Sequence, residues 1–242
     1  MPPIDAMPIS SIHHAYIIGF DDGTVRPHAS LTRAQATTIF FRLVDDNHRT
    51  SIWSQSSNFG DVSLPRWYNN SISTMASGGM VHGFPDGNFR PQQSITRAEF
   101  ATMLARFMGV GRSADTAPFN DTAGHWASGY INTAFAQNWI AGFADGTFRP
   151  EQAITRAEVA AIVNRALGRR LQSVDDLLPG MLEWRDNANV NAWYYLYIQE
   201  ATNTNYHEMK ADGIHKRWVQ LAASRNWTVL ERPESRPQDI LR

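Results

Sequence analysis

The feature that most constrains this chain of 242 residues is an internal repeat that occurs three times. The third copy reads Gly142-Phe143-Ala144-Asp145-Gly146-Thr147-Phe148-Arg149-Pro150 and then Ile154-Thr155-Arg156-Ala157-Glu158. The second runs from Gly83 through Phe84, Asp86, Gly87, Phe89, Arg90 and Pro91 to Ile95-Thr96-Arg97-Ala98-Glu99. The first runs from Gly19 through Phe20, Asp22, Gly23, Val25, Arg26 and Pro27 to Leu31-Thr32-Arg33-Ala34-Gln35. Glycine to threonine spans 13 residues in every copy, while the copies start 64 and 59 residues apart. The unit is therefore rigid and its connections vary. Such a period implies a repeat architecture, in which each small helical unit buries its apolar face against its neighbours.

The spacing Thr-x-x-Glu, or Thr-x-x-Gln in the first copy, is a capping box. Thr155 at the N-cap accepts from the Glu158 amide, Glu158 reaches back to the Thr155 amide, and Ile154 and Val159 form a hydrophobic staple. Losing the cap threonine is expected to cost about 1 kcal/mol. Val159, Ile162, Val163, Ala166 and Leu167 follow at helical spacing, with Gly168 placed to end the helix. Phe100, Met103, Leu104, Phe107 and Gly109 repeat the pattern. The Asp-Gly pairs predict a tight turn with positive φ at glycine, and each Arg-Pro predicts an extended arginine.

Arg33, Arg97 and Arg156 fall at the first helical position, where the macrodipole is positive and an acid would be preferred. Backbone amides at a helix start together with a guanidinium fork suit a carboxylate or phosphate. The bland alternative is that each arginine pairs with an aspartate of its own or the next copy, such as Asp86 or Asp145.

A second half-motif precedes copies two and three. Phe59-Gly60-Asp61, Trp67 and Ile72 lead into one; Phe119-Asn120-Asp121, Trp126 and Ile131 lead into the other. Copy one lacks it, yet Trp184-Arg185-Asp186, Trp193 and Ile198 stand after copy three, with the same interval of five residues from tryptophan to isoleucine. The expectation is that Trp184 to Thr202 supplies the first helix missing from copy one and closes three helix-loop-helix units into a ring. Beyond it, Ile214, Trp218, Leu221 and Ala222 at helical spacing predict a final helix, and the proline-containing tail is expected to be mobile.

A formal charge of −1 argues against general nucleic-acid binding. Only Lys210 and Lys216 are lysine, so 20 of the 22 basic residues are arginine, and nine of these keep phase with the repeats. Cysteine is absent, which excludes a disulfide framework and thiolate chemistry. No apolar run approaches the length of a membrane span. Met1 to Ser11 carries no basic and apolar pattern of a signal peptide, so an exported form would be a longer precursor. The recurring Asp-Gly loops offer only one or two carboxylates each, too few for a calcium loop. His207-Glu208 begins like a zinc-protease helix, but Ala211 stands where the second histidine belongs. Neither a metal, a cofactor nor a catalytic activity is expected.

With these motifs in hand the chain resembles the S-layer homology family. That family's pattern is an aromatic-x-Asp start, a tryptophan-containing helix, a Gly-[Phe/Tyr]-x-Asp-Gly-x-Phe-x-Pro loop and a Thr-Arg-Ala-Glu helix start. The likeness covers about residues 15 to 168 and a partial unit at 184 to 202. Copy one departs from it at Val25 and Gln35. The resemblance implies an all-α domain: three motifs in a pseudo-threefold, three-pronged bundle with grooves between prongs, the C-terminal helical extension completing the first motif. The divisions are then 1–58, 59–118, 119–183, 184–228 and a mobile tail at 229–242. It further implies an extracellular location in a bacterial surface layer and attachment to a secondary cell-wall polysaccharide, often one whose terminal sugar carries a pyruvate ketal and so a carboxylate. The residues this assigns to the ligand are Arg33, Arg97 and Arg156, the loop glycines Gly19, Gly83 and Gly142, and Thr96, Thr155, Asp86, Asp145, Trp67 and Trp126. Trp67, Trp126 and Trp193 could stack on sugar rings, although helical spacing favours a core role. The alternative is a surface-layer self-assembly module with internally paired arginines and no carbohydrate ligand.

Overall fold

A computed structural model describes residues 13–236 and residue 239. Among these, eight α-helices, a short 3-10 helix at Val174–Asp176 and one two-stranded hairpin make up the regular structure. The three repeat helices are α1 (Arg33–Leu43), α4 (Arg97–Phe107) and α6 (Arg156–Ala166); each opens on a complete capping box, with Gln35 standing in for glutamate in α1. The tryptophan-led helices are α3 (Asn69–Ser77), α5 (Ser128–Ala136) and α7 (Tyr195–Thr202). A short α2 (Asp46–Ser51) follows α1, and α8 (Trp227–Leu230) lies near the C-terminus. Gly109 and Gly168 sit at φ 68° and 64° just beyond α4 and α6, the left-handed stop that glycine adopts without a Cβ penalty.

Each tryptophan-led helix packs on the repeat helix of the preceding copy: α3 on α1, α5 on α4 and α7 on α6. The copies also join through the residues just before each cap. Ile95 N–H donates to the Leu31 carbonyl, Ile154 to Ile95, and Leu31 to Ile154, each at 3.0–3.1 Å. All three side chains are buried, so the ring of hydrogen bonds runs through the apolar interior. Its backbone groups have no access to water, and pairing across copies is what satisfies them.

Copy one is completed by the far end of the chain. Asp61 accepts the N–H groups of Phe89 and Arg90, and Asp121 those of Phe148 and Arg149. Asp186 does the same for Val25 and Arg26, from 160 residues away. Tyr16 N–H donates to the Ala201 carbonyl as Trp139 N–H donates to Ala134. The N-terminal stretch thus takes the place, after α7, that contiguous chain takes after α5.

Three expectations change. The all-α reading gives way to a mainly helical one, because residues expected in a last helix form an antiparallel hairpin, β1 (Asn205–Met209) with β2 (Lys216–Leu221). The reason is Asp212-Gly213: Gly213 turns at φ 67°, and the Asp212 carboxylate accepts the N–H groups of Ile214 and His215. Trp218 is buried in the strand, its indole N–H bonded to Glu200. The tail from 229 to 236, expected to be mobile, packs instead: Trp227, Leu230, Glu231 and Ser235 are buried, and Trp227 donates to the Ala15 carbonyl. The Arg-Pro arginines are not extended. Arg26, Arg90 and Arg149 hold φ of 50°, 59° and 58°, a strained choice before proline that the two N–H bonds to each motif aspartate offset. The signal-peptide reading of Met1 to Ser11 and residues 237, 238 and 240–242 of the tail lie outside the described residues.

Candidate functional site

Three grooves of similar size, about 220, 270 and 220 Å³, lie beside α1, α4 and α6. Every groove has the same parts. A helix-start arginine of one copy forms the floor, the capping-box residue of the next copy faces it, an arginine from that helix's last turn stands above, and a tryptophan forms the rim. Groove one holds Arg156, Gln35, Arg42 and Trp67; groove two holds Arg33, Glu99, Arg106 and Trp126; groove three holds Arg97, Glu158, Arg165 and Trp193.

The expected core role for the tryptophans is not what the structure shows. Trp67, Trp126 and Trp193 are 43%, 54% and 57% exposed. Each precedes its helix: the caps are Tyr68, Ala127 and Tyr194, so helical phase does not aim the indole at the core. An indole face half open to solvent at a groove rim can stack on an apolar sugar face.

The helix-start arginines are buried and strongly bonded. Arg33 Nε donates to the Phe89 carbonyl at 2.9 Å, and its Nη1 pairs with Glu99 at 2.9 Å. Arg97 repeats this with Phe148 and Glu158, at 2.8 and 2.5 Å. The partner is therefore the capping-box glutamate of the next copy, and the proposed aspartates are engaged elsewhere: Asp86 pairs with Arg90 and Asp145 with Arg149, on exposed loop surface. Each glutamate uses one oxygen for its own cap amide and the other for the neighbouring arginine.

Arg156 has no such partner. Its Nε and Nη2 donate to the carbonyls of Val25 and Ile18, at 2.6 and 2.7 Å, and no carboxylate pairs with it among the described residues. The Gln35 oxygen is taken by the Thr32 amide, leaving an NH₂ donor where glutamate would offer a second oxygen. Burial first, then the nearby Arg42 charge, lowers the Arg156 guanidinium to about 10, with Asp186 opposing. It still carries its full charge near neutral pH. A buried cation held only by neutral acceptors is under-compensated.

The loop glycines have a packing reason to be glycine. A Cβ on Gly83 or Gly142 would lie 2.6 or 2.4 Å from the ring of Phe59 or Phe119, and one on Gly19 would lie 2.0 Å from Trp184. The aromatic of each aromatic-x-Asp motif fills that space. Gly83 and Gly142 also line their grooves. Thr96 and Thr155 are occupied as caps. The last-turn arginines Arg42, Arg106 and Arg165 also line the grooves; in the sequence their one signal is that they belong to the nine arginines in phase with the repeats.

Comparison with known proteins fits this architecture. The model of the S-layer homology domain matches residues 12–37, 60–101 and 118–160. The chain belongs to the S-layer homology family. It carries three such domains in tandem, and the first match begins without the aromatic-x-Asp half, which is the half Trp184 to Thr202 supplies in the fold. A cellulosome-anchoring protein of Acetivibrio thermocellus is 35% identical over 205 residues, 83% of this chain and 44% of that protein. A surface layer protein of Brevibacillus choshinensis is 35% identical over 103 residues, 40% of this chain and 9% of its own length. An endoglucanase of Bacillus sp. (strain KSM-635) is 26% identical over 179 residues, 71% of this chain and 19% of that enzyme. The chain thus spans less than half the length of these relatives. Among the described residues no helix is long and apolar enough to cross a membrane.

Proposed function

We propose that this chain is a non-catalytic module that anchors an extracellular protein to the bacterial cell wall, with the three grooves, related by a pseudo-threefold axis in a three-pronged arrangement, receiving an acidic wall polysaccharide. Membership of the S-layer homology family and the names of the relatives, an anchoring protein and a surface layer protein among them, support the wall as the partner. The match to an endoglucanase over a fifth of its length suits a tether joined to varied cargo. The observation that carries the finer reading is Arg156: a buried guanidinium at a helix start, with a half-exposed tryptophan at the rim and no acid of its own. A ketal carboxylate there would supply the missing negative charge, and a charged hydrogen bond is worth about 1.5–3 kcal/mol. Each groove alone would bind weakly, and several on one polymer would gain by effective concentration.

The self-assembly reading draws on a specific observation too, since Arg33 and Arg97 are internally paired. Co-sedimentation with purified Gram-positive sacculi separates the two. Arg156→Gln should weaken binding at least about tenfold, the size of one charged hydrogen bond, with the circular dichroism spectrum unchanged, and chemical removal of ketal pyruvate from the sacculi, which acts on every groove, should weaken the wild type at least as much. Sacculi that bind neither protein, or both equally before and after depyruvylation, would leave assembly as the function.

A further inference from the structure

The last-turn arginines distinguish the grooves in a second way. In groove two, Arg106 has no carboxylate partner among the described residues, and its buried Nε makes no hydrogen bond; the guanidinium lies 5.6 Å from the Tyr130 ring centre. In groove three, Arg165 Nε donates to the Tyr197 hydroxyl at 3.2 Å, and no carboxylate pairs with it among the described residues. In groove one, Arg42 is bound in a fork by Glu231, Nε to one oxygen at 2.6 Å and Nη2 to the other at 2.9 Å, while Nη1 donates to the Tyr16 carbonyl. Glu231 comes from the C-terminal tail, 189 residues away, and with Thr228 it lines the groove.

The count of charges shows what this exchange does. Groove two has Arg33 and Arg106 against Glu99, and groove three has Arg97 and Arg165 against Glu158. Groove one has Arg156 and Arg42 against Glu231, because Gln35 contributes none. All three grooves keep two cations and one anion, but the uncompensated cation sits on the floor in groove one and at the last turn in the others. A bidentate carboxylate on a nearly buried arginine is the geometry that an external carboxylate or phosphate would adopt there.

We propose that Glu231 is a tethered occupant of an anion subsite on Arg42, a strap that limits groove one to a singly charged ligand at Arg156 and must be displaced before a second anionic group can enter. The proposal rests on the groove reading above. The strap is anchored on both sides of Glu231: Trp227 is buried against Ala15, and the carbonyls of Pro233 and Ser235 accept from Gln55. Local effective concentration then favours Glu231 over a free anion, and a polymer presenting two charges would be the competitor able to remove it.

The test uses the full chain labelled with 5-fluorotryptophan, with the Trp67, Trp126 and Trp193 resonances assigned by single Trp→Phe variants. A synthetic disaccharide glycoside carrying two ketal carboxylates is titrated into wild type and Glu231→Gln, with Glu231→Ala as a second variant in case the amide keeps its hold on Arg42. The expected result is that the Trp67 midpoint falls about tenfold in the variants while the Trp126 and Trp193 midpoints do not move. A Trp67 midpoint that is unchanged or higher in both variants overturns the strap. If no tryptophan responds in any protein, the carbohydrate reading fails, and the strap is judged on Arg42 itself: modification by phenylglyoxal, read by mass spectrometry, should be slow in wild type and at least fivefold faster in Glu231→Ala. Equal rates overturn it.

Discussion

Grooves two and three are made from neighbouring stretches of chain, whereas groove one lies at the seam where the two ends meet. At the first two, a capping-box glutamate closes its own helix and neutralises the next copy's arginine with the same carboxylate. At the seam that double use is broken by Gln35, and the acid arrives from the tail onto a different arginine. One residue thus carries local and long-range roles that separate cleanly. Glutamine preserves the cap and abolishes the ion pair, so helix α1 is as well started as α4 while the charge beneath it is left open.

Removing the seam has the largest effect. Truncation after Glu183 takes away Trp184 from the face of Gly19, the Asp186 carboxylate from two loop amides, and α7 from α6. Losing one buried aromatic costs about 3–5 kcal/mol, and each unsatisfied amide adds to it. The truncated chain should therefore lose at least about 5 kcal/mol in urea denaturation, a buried aromatic's worth, and its copy-one amides should lose protection from hydrogen exchange first. If it melts like the full chain, the closure of copy one by the C-terminal half-motif is wrong.

Exchanging the capping-box acid and amide between the two kinds of groove has the next largest effect. Glu158→Gln should reproduce in groove three the open floor of groove one, without a counterpart of Glu231 on Arg165: the cap survives, Arg97 loses its acid, and stability falls by about 3 kcal/mol, since removing one member of a buried pair strands the other. Gln35→Glu is the reverse. It gives Arg156 a partner, should raise stability by about 1.5 kcal/mol as a charged hydrogen bond forms, and should weaken sedimentation with sacculi as strongly as Arg156→Gln. A stabilised Gln35→Glu variant that binds sacculi as well as wild type would remove Arg156 from the ligand site.

What the sequence made legible was what is local. The three capping boxes, the glycine stops and the Asp-Gly turns each depend on residues within a few positions, and all appear where the spacing placed them. The displaced half-motif was legible because an interval of five residues survives the move to the C-terminus. Partners were not. Arg33 and Arg97 meet glutamates 66 and 61 residues away, and identifying these requires knowing which copy faces which. Helical spacing favoured a core place for the tryptophans and failed there, because a position just outside a helix obeys no helical phase. The hairpin was hidden because Ile214, Trp218 and Leu221 keep a helical spacing that the strand does not use, Ile214 falling in the turn before β2, and the local signal for the turn is Asp212-Gly213. Nothing repeated announces Glu231.

The smallest effect concerns the exposed loops, where copies one and three carry a threonine, Thr24 or Thr147, at the position that Asn88 holds in copy two. Asp22 and Asp145 accept from the hydroxyl of Thr24 or Thr147 two residues on, as well as from Arg26 or Arg149, and these bonds bring both carboxyls down to about 2. Asp86 has Asn88 in place of threonine; its carboxyl is also lowered, chiefly by Arg90. A carboxyl lowered on folding contributes stability that is present above the unfolded value of about 4 and disappears as pH falls through the folded value. By NMR titration, Asp22 and Asp145 should therefore remain ionised at pH 3, and Thr147→Val should raise the Asp145 midpoint toward that of Asp86 without moving Asp22. Because all three loops are open to solvent, the change in global stability should be too small to resolve, and added salt should shrink the arginine contribution in all three copies while leaving the threonine contribution intact. A Thr147→Val midpoint identical to wild type would mean that the hydroxyl is not what separates the loops, and that the arginine pair alone sets all three.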